Sequence, residues 1–168
     1  MSEKNNPFDS AASEKPVLSS GLNIITILTI IGSVVSLFSS VWTFISAKKS
    51  YESLRETMEA GSLDNAPKWV RGMLTPEMLE TTRKMLENKY PLLIVGLLGS
   101  SLCLYGALEM RKFKKQGYML WLVGEILPMI VLFLLIGSSA FAGWSLIGIL
   151  FPILFLILYT IYKKELVN

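Results

Sequence analysis

Residues 91–137 read PLLIVGLLGSSLCLYGALEM, RKFKKQG and YMLWLVGEILPMIVLFLLIG. Two 20-residue runs, each with a single acidic side chain, flank a seven-residue link that holds four cations within five positions. About 20 predominantly apolar residues suffice for a helix to cross the hydrocarbon of a bilayer. The runs are continuously apolar and do not alternate with period two, so helices are expected and barrel strands are not. A link this short returns one helix on the other. The stretch therefore reads as an antiparallel membrane hairpin with spans at 91–110 and 118–137 and a basic turn at 111–117.

Outward from this hairpin, WSLIGILFPILFLILYTIY at 144–162 gives another span, separated from the last by the uncharged GSSAFAG, with 138–143 as a short outer turn. Upstream, no charge occurs from Leu22 to Ala47, which gives a span at 22–47. The polar tail before it, 1–21, has no basic leader, and no small-residue cleavage site follows, so 22–47 reads as a span and not as a signal peptide. The tail itself, with its Asn6-Pro7-Phe8 triplet, reads as disordered. The expected fold is an all-α integral membrane protein: four transmembrane helices in an antiparallel bundle, with a partly helical extramembrane loop between helices 1 and 2.

That loop is different in kind. The 44 residues from Ala47 to Tyr90 hold eight Lys/Arg and seven Asp/Glu. KKSYESLRETMEA (48–60) lacks any helix breaker and is expected to carry the first helix into water, while GSLDNAPKWV (61–70) is rich in turn residues. TPEMLETTRKMLENKYP then supplies Thr75 as N-cap, Pro76 at the first helical position and Glu77 near the positive end of the dipole. Met78, Leu79, Met85 and Leu86 share one face, which makes this helix amphipathic. Pro91 is expected to bend or interrupt it before the second span.

Composition removes several chemistries. Hydrophobic residues make up 52% of the 168 and charged ones 17%, against about 25% charged in an average soluble domain. The chain has no histidine, the usual general base and metal ligand, and a single cysteine, Cys103. A net charge of +3 is too small and too scattered for nucleic-acid binding. No cofactor, metal or catalytic group is expected.

With the termini inside, eight Lys/Arg lie on each side, so the raw count is a tie. Proximity decides it, because short loops and span-flanking residues set orientation. Arg111, Lys112, Lys114 and Lys115 crowd one tight turn and the other has no cation. The expectation is N-in and C-in in a bacterial inner membrane, with 48–90 outside and 163–168 cytoplasmic. Trp42, Tyr90 and Trp144 would mark the outer interface, and Tyr118, Trp121, Tyr159 and Tyr162 the inner one.

Inside the spans two features stand out. The first is a seam of small residues. Thr29, Gly32, Ser33, Ser36, Ser39, Ser40 and Thr43 recur at helical spacing, and Gly96, Gly99, Ser100, Cys103, Gly106 and Ala107 form a small face on the second span, its expected partner. The second feature is Glu125, about 10 Å along the helix from Tyr118, with no Lys or Arg within any span to neutralise it. By depth alone, Ser101, Cys103 and Tyr105 are its candidate hydrogen-bond partners. Pro128 has no N–H, which leaves the Gly124 carbonyl without its helical donor beside Glu125. Glu125 or a water would fill that gap.

The large first external loop resembles that of claudin-type four-span proteins, but a chain with one cysteine lacks their paired loop cysteines. Small four-span multidrug transporters carry an intramembrane glutamate in their first helix, whereas Glu125 lies in the third expected span. The small-residue seams, the loop and the lack of catalytic side chains point to a non-catalytic subunit. It would pack against other membrane subunits, a hetero-complex before a homo-oligomer, and contact them through 48–90. The alternative is a small proton- or cation-coupled transporter or channel using Glu125.

Overall fold

The computed structural model describes residues 18–60, 67, 68, 72, 74–141 and 145–166, without the side chains of 140–149 and 165. The Asn6-Pro7-Phe8 triplet, most of the turn-rich stretch and Trp144 lie outside the described residues. Among the described residues all regular structure is helical: α1 (Ser20–Glu59), α2 (Pro76–Glu87), α3 (Lys89–Met110), α4 (Lys115–Ile136) and α5 (Ser145–Tyr162), with short 3-10 turns after α4 and α5. Three of them, α1, α3 and α4, are long and apolar enough to cross a membrane. The chain is a membrane protein. In α5 the apolar stretch is the shorter Leu150–Tyr162.

Helix α1 begins at Ser19, whose hydroxyl accepts the Leu22 N–H at 3.3 Å. Its 40 residues extend about 60 Å, twice the roughly 30 Å hydrocarbon thickness. No Gly or Pro interrupts it between Ser33 and Ala60, and the ion pairs Lys48–Glu52 and Arg55–Glu59 support its distal turns. The expected prolongation of the first span is thus one unbroken helix. Ile27, Ile31, Phe38 and Ile45 project from it uncovered, a surface suited to acyl chains.

Thr75 caps α2 as its spacing predicts, accepting the Met78 N–H at 3.2 Å with Pro76 next in line. The interruption expected at Pro91 falls earlier, at Asn88 (φ −100°, ψ 21°), whose side-chain amide donates to the Lys84 carbonyl. Pro91 instead sits in the first turn of α3, where its missing N–H would have no intrahelical partner in any case.

The α3–α4 link closes through a bond from the Lys114 N–H to the Glu109 carbonyl and one from the Phe113 N–H to the Met110 carbonyl. This is the glycine-type helix stop, but Phe113 occupies the left-handed position at φ 60°. Glu109 is buried here and accepts from Lys112 at 2.9 Å and Lys114 at 2.6 Å. The Glu109 hydrogen bond holds the Lys114 ammonium above the ordinary lysine range. Two of the four cations in the turn thus face an internal carboxylate.

Helices α3 and α4 lie antiparallel along most of their length, α3 lies antiparallel on α1, and the last turns of α5 touch α1 and α4. The core gathers where α1 and α4 begin and α3 and α5 end: Leu22, Ile25, Cys103, Met110, Tyr118, Trp121 and Tyr159. This corrects the expected inner aromatic belt. Tyr118, Trp121 and Tyr159 are buried, with Trp121 and Tyr159 rings 4.7 Å apart, and do not face lipid. Trp42 and Tyr90 are uncovered, as interfacial aromatics are.

The buried Glu109 gives the fold its first test. Replacing Lys112 and Lys114 together by Met should lower the melting temperature in detergent by several degrees, since a covered carboxylate is left unpaired. Adding Glu109→Gln to that variant should recover most of the loss. Equal melting of all three proteins would show the turn is held otherwise.

Candidate functional site

Helices α3 and α4 meet backbone to backbone. Gly99 and Gly106 are seven residues apart on α3, and Gly117 and Gly124 seven apart on α4. Seven residues are nearly two turns, so each pair shares one face. A Cβ on Gly106 would lie 2.6 Å from the Gly117 carbonyl oxygen, and one on Gly117 would lie 2.6 Å from the Gly106 carbonyl. Gly99 and Gly124 repeat the reciprocity at 2.8 Å. The α-hydrogens therefore point at facing carbonyls, the geometry of weak Cα–H···O bonds at helix interfaces. Any side chain at these positions would strike backbone.

Glu125 sits beside this contact. The Cys103 thiol approaches both its Oε2, at 3.5 Å, and the Trp121 carbonyl, at 3.7 Å. The carboxyl also borders a cleft of about 140 Å³ between α4 and α5, whose other walls include Trp121, Met129, Pro152 and Leu156. Of the residues expected around Glu125, the structure brings Cys103, Gly124 and Pro128 together. Ser101 and Tyr105 are exposed on another face of α3, because a two-residue step turns a helix by about 200°. The Gly124 carbonyl freed by Pro128 is directed at Gly99, and Glu125 bonds elsewhere.

The small face of α3 is divided between two neighbours and is not the seam with the first span alone. Ser100 donates to Ser36 at 2.9 Å and Gly96 lies against Ser40, whereas Gly99, Cys103 and Gly106 turn to α4. On α1, Ser33 is buried and donates back to the Thr29 carbonyl. Thr29 donates to the Ile25 carbonyl at 3.0 Å and shares a 2.6 Å hydrogen bond with the Tyr159 hydroxyl. Gly32 faces open space.

Two participants escaped the sequence reading. Gly117 reads as part of the basic turn, although its seven-residue spacing to Gly124 matches that of Gly99 and Gly106. Tyr159 reads as an interfacial aromatic, although a phenol near Thr29 in depth has a partner available across the interior. No family model, curated protein or solved structure matches the chain.

Gly106→Leu or Gly117→Leu should each cost about 1–3 kcal/mol or more, because the side chain meets backbone that cannot yield. Gly32→Leu should stay within about 0.5 kcal/mol of the parent. Reversible unfolding in mixed micelles measures all three. Tolerance of Leu at 106 and 117 would refute the close contact.

Proposed function

We propose that this protein is a non-catalytic multi-pass subunit that scaffolds a larger membrane assembly. In this reading α5 is a fourth crossing that completes an antiparallel four-helix bundle, both termini are cytoplasmic, and 48–90 faces the opposite side. The basic turn at 111–115 supports the orientation, and the apolarity of α5, which carries no charged residue from Ser145 to Tyr162, supports the fourth crossing. The observation that carries the function is the continuity of α1. It runs without a break from the membrane to Glu59, so its last twelve residues project about 18 Å as a rigid arm. Helix α2 packs on that arm. A rigid projection of this kind holds a partner at a set height and direction from the bilayer. Its surface is mixed in charge, with Lys49 and Glu56 exposed, and such a surface suits a protein partner better than a lipid headgroup layer.

The transport reading with Glu125 has narrower support. Among the described residues the carboxyl has one side-chain hydrogen-bond partner, Cys103, and the other side chains that line its cleft are apolar or aromatic. A proton or cation pathway needs a succession of polar groups across the membrane. Glu125→Gln should therefore leave pH-dependent flux in reconstituted vesicles at the level of empty vesicles and of the parent. A parent flux that this substitution abolishes would favour the transporter.

The scaffold reading is tested by gentle-detergent purification at native expression. A stoichiometric partner should co-purify with the parent and be lost from a Lys49→Glu/Glu56→Lys variant whose own melting temperature is unchanged. A stable protein that purifies without any stoichiometric partner contradicts it.

A further inference from the structure

A groove of about 480 Å³ runs between α1, α2 and α3. Its walls are chemically sorted. Ser39, Thr43 and Ser50 line the α1 side, and among the described residues their hydroxyls make no hydrogen bond, unlike Ser40 and Ser46, which donate to their own helix. The opposite wall is Leu92, Leu93 and, from α4, Leu132. Lys89 is the single charged residue in the lining. Its ammonium lies 5.3 Å from the ring centroids of both Phe44 and Tyr90, and among the described residues no carboxylate pairs with it. Two aromatic faces attract the cation without neutralising it, so an anion is the complement the groove lacks.

Dimensions narrow the occupant. From Ser36 to Ser50 the groove follows α1 for about 21 Å, more than half of the roughly 30 Å hydrocarbon thickness. Its membrane part, Ser36 to Ala47, is about 16 Å long, close to the depth of one leaflet, and Ser50 stands beyond it. Thr82 and Met85 of α2 contribute to the lining on the side where α1 leaves the membrane, across the path of any helix that would run through the groove into water. A partner helix would also leave Lys89 without an anion. An amphiphile with an anionic head and an apolar tail matches the charge, the leucine wall and the length together.

We propose that the groove binds one anionic phospholipid. Lys89 and the Thr43 hydroxyl hold its phosphate, the Ser50 hydroxyl, about 10 Å further along α1, faces the rest of the headgroup, and an acyl chain lies along Leu92 and Leu93. The proposal rests on the membrane reading of α1, α3 and α4 and is independent of the scaffold role. Loss of a partner protein would leave it intact, and loss of lipid binding would leave the scaffold role intact.

The test uses the full chain in neutral detergent, with melting temperature followed against added phosphatidylglycerol, phosphatidylcholine or inorganic phosphate. Phosphatidylglycerol should raise the melting temperature saturably, while phosphatidylcholine acts only at higher concentration and inorganic phosphate has no effect. Lys89→Gln should shift the phosphatidylglycerol half-point by about fivefold, the equivalent of one interfacial cation, and Lys89→Arg should preserve it. Thr43→Val/Ser50→Ala should shift it in the same direction, which keeps the test decisive if Lys89→Gln fails to fold. Three results would overturn the proposal. They are equal response to the two lipids, stabilisation by inorganic phosphate alone (a free-anion site), and a disulfide-linked dimer of Ser39→Cys/Cys103→Ala that phosphatidylglycerol does not suppress (a second copy in the groove).

Discussion

The backbone-to-backbone contact of α3 with α4 is the constraint from which the remaining arrangement follows. In lipid, apolar side chains gain little by leaving acyl chains for one another, so association relies on close fit and on polar contacts. Four glycines at matched seven-residue spacing let two helices approach until carbonyls meet α-hydrogens. Once that distance is set, Cys103 can reach both the Trp121 carbonyl and Glu125, and Trp121 is pressed inward onto Tyr159. The short basic turn reinforces the same pairing from outside, because Glu109 at the end of α3 holds Lys114 at the start of α4. Phe113 accepts a left-handed backbone to make that turn.

Polar side chains within the apolar helices are disposed of in two ways. Thr26, Thr29, Ser33 and Ser40 donate to carbonyls one turn back, which hides a hydroxyl without a second helix. Thr29 and Ser36 then offer their oxygens across the interior to Tyr159 and Ser100. Hydroxyls that do neither are found where α1 faces the groove beside Lys89. The polar content of α1 is thus divided between holding the helices together and lining the groove beside Lys89.

How much of this was legible depended on which physical signal was local. Helix type, the Thr75 cap, the length of α1 and the tight basic turn follow from hydropathy, capping chemistry and cation clustering within a few residues. Rotational facing did not follow from depth. Ser101 and Tyr105 match Glu125 in height along the membrane, yet the residue between them, Cys103, faces it. Tyr and Trp near span ends read as interfacial because such residues are common there, a rule that fixes a level and does not distinguish a ring turned outward from one turned into the core. Gly117 was hidden by its neighbours, since a glycine next to RKFKK reads as turn. The division of α3's small face between α1 and α4 needs three helices at once, which no single-helix pattern encodes.

All of these contacts presuppose that α3 crosses the bilayer, because a glycine-lined pair of apolar helices has the stated logic only in lipid. Reporter fusions at Asp64 and Lys114 test this most directly, one ahead of α3 and the other in the turn that follows it. The account predicts that the two reporters are found in opposite compartments, with Lys114 on the cytoplasmic side. Both reporters in the same compartment would contradict it.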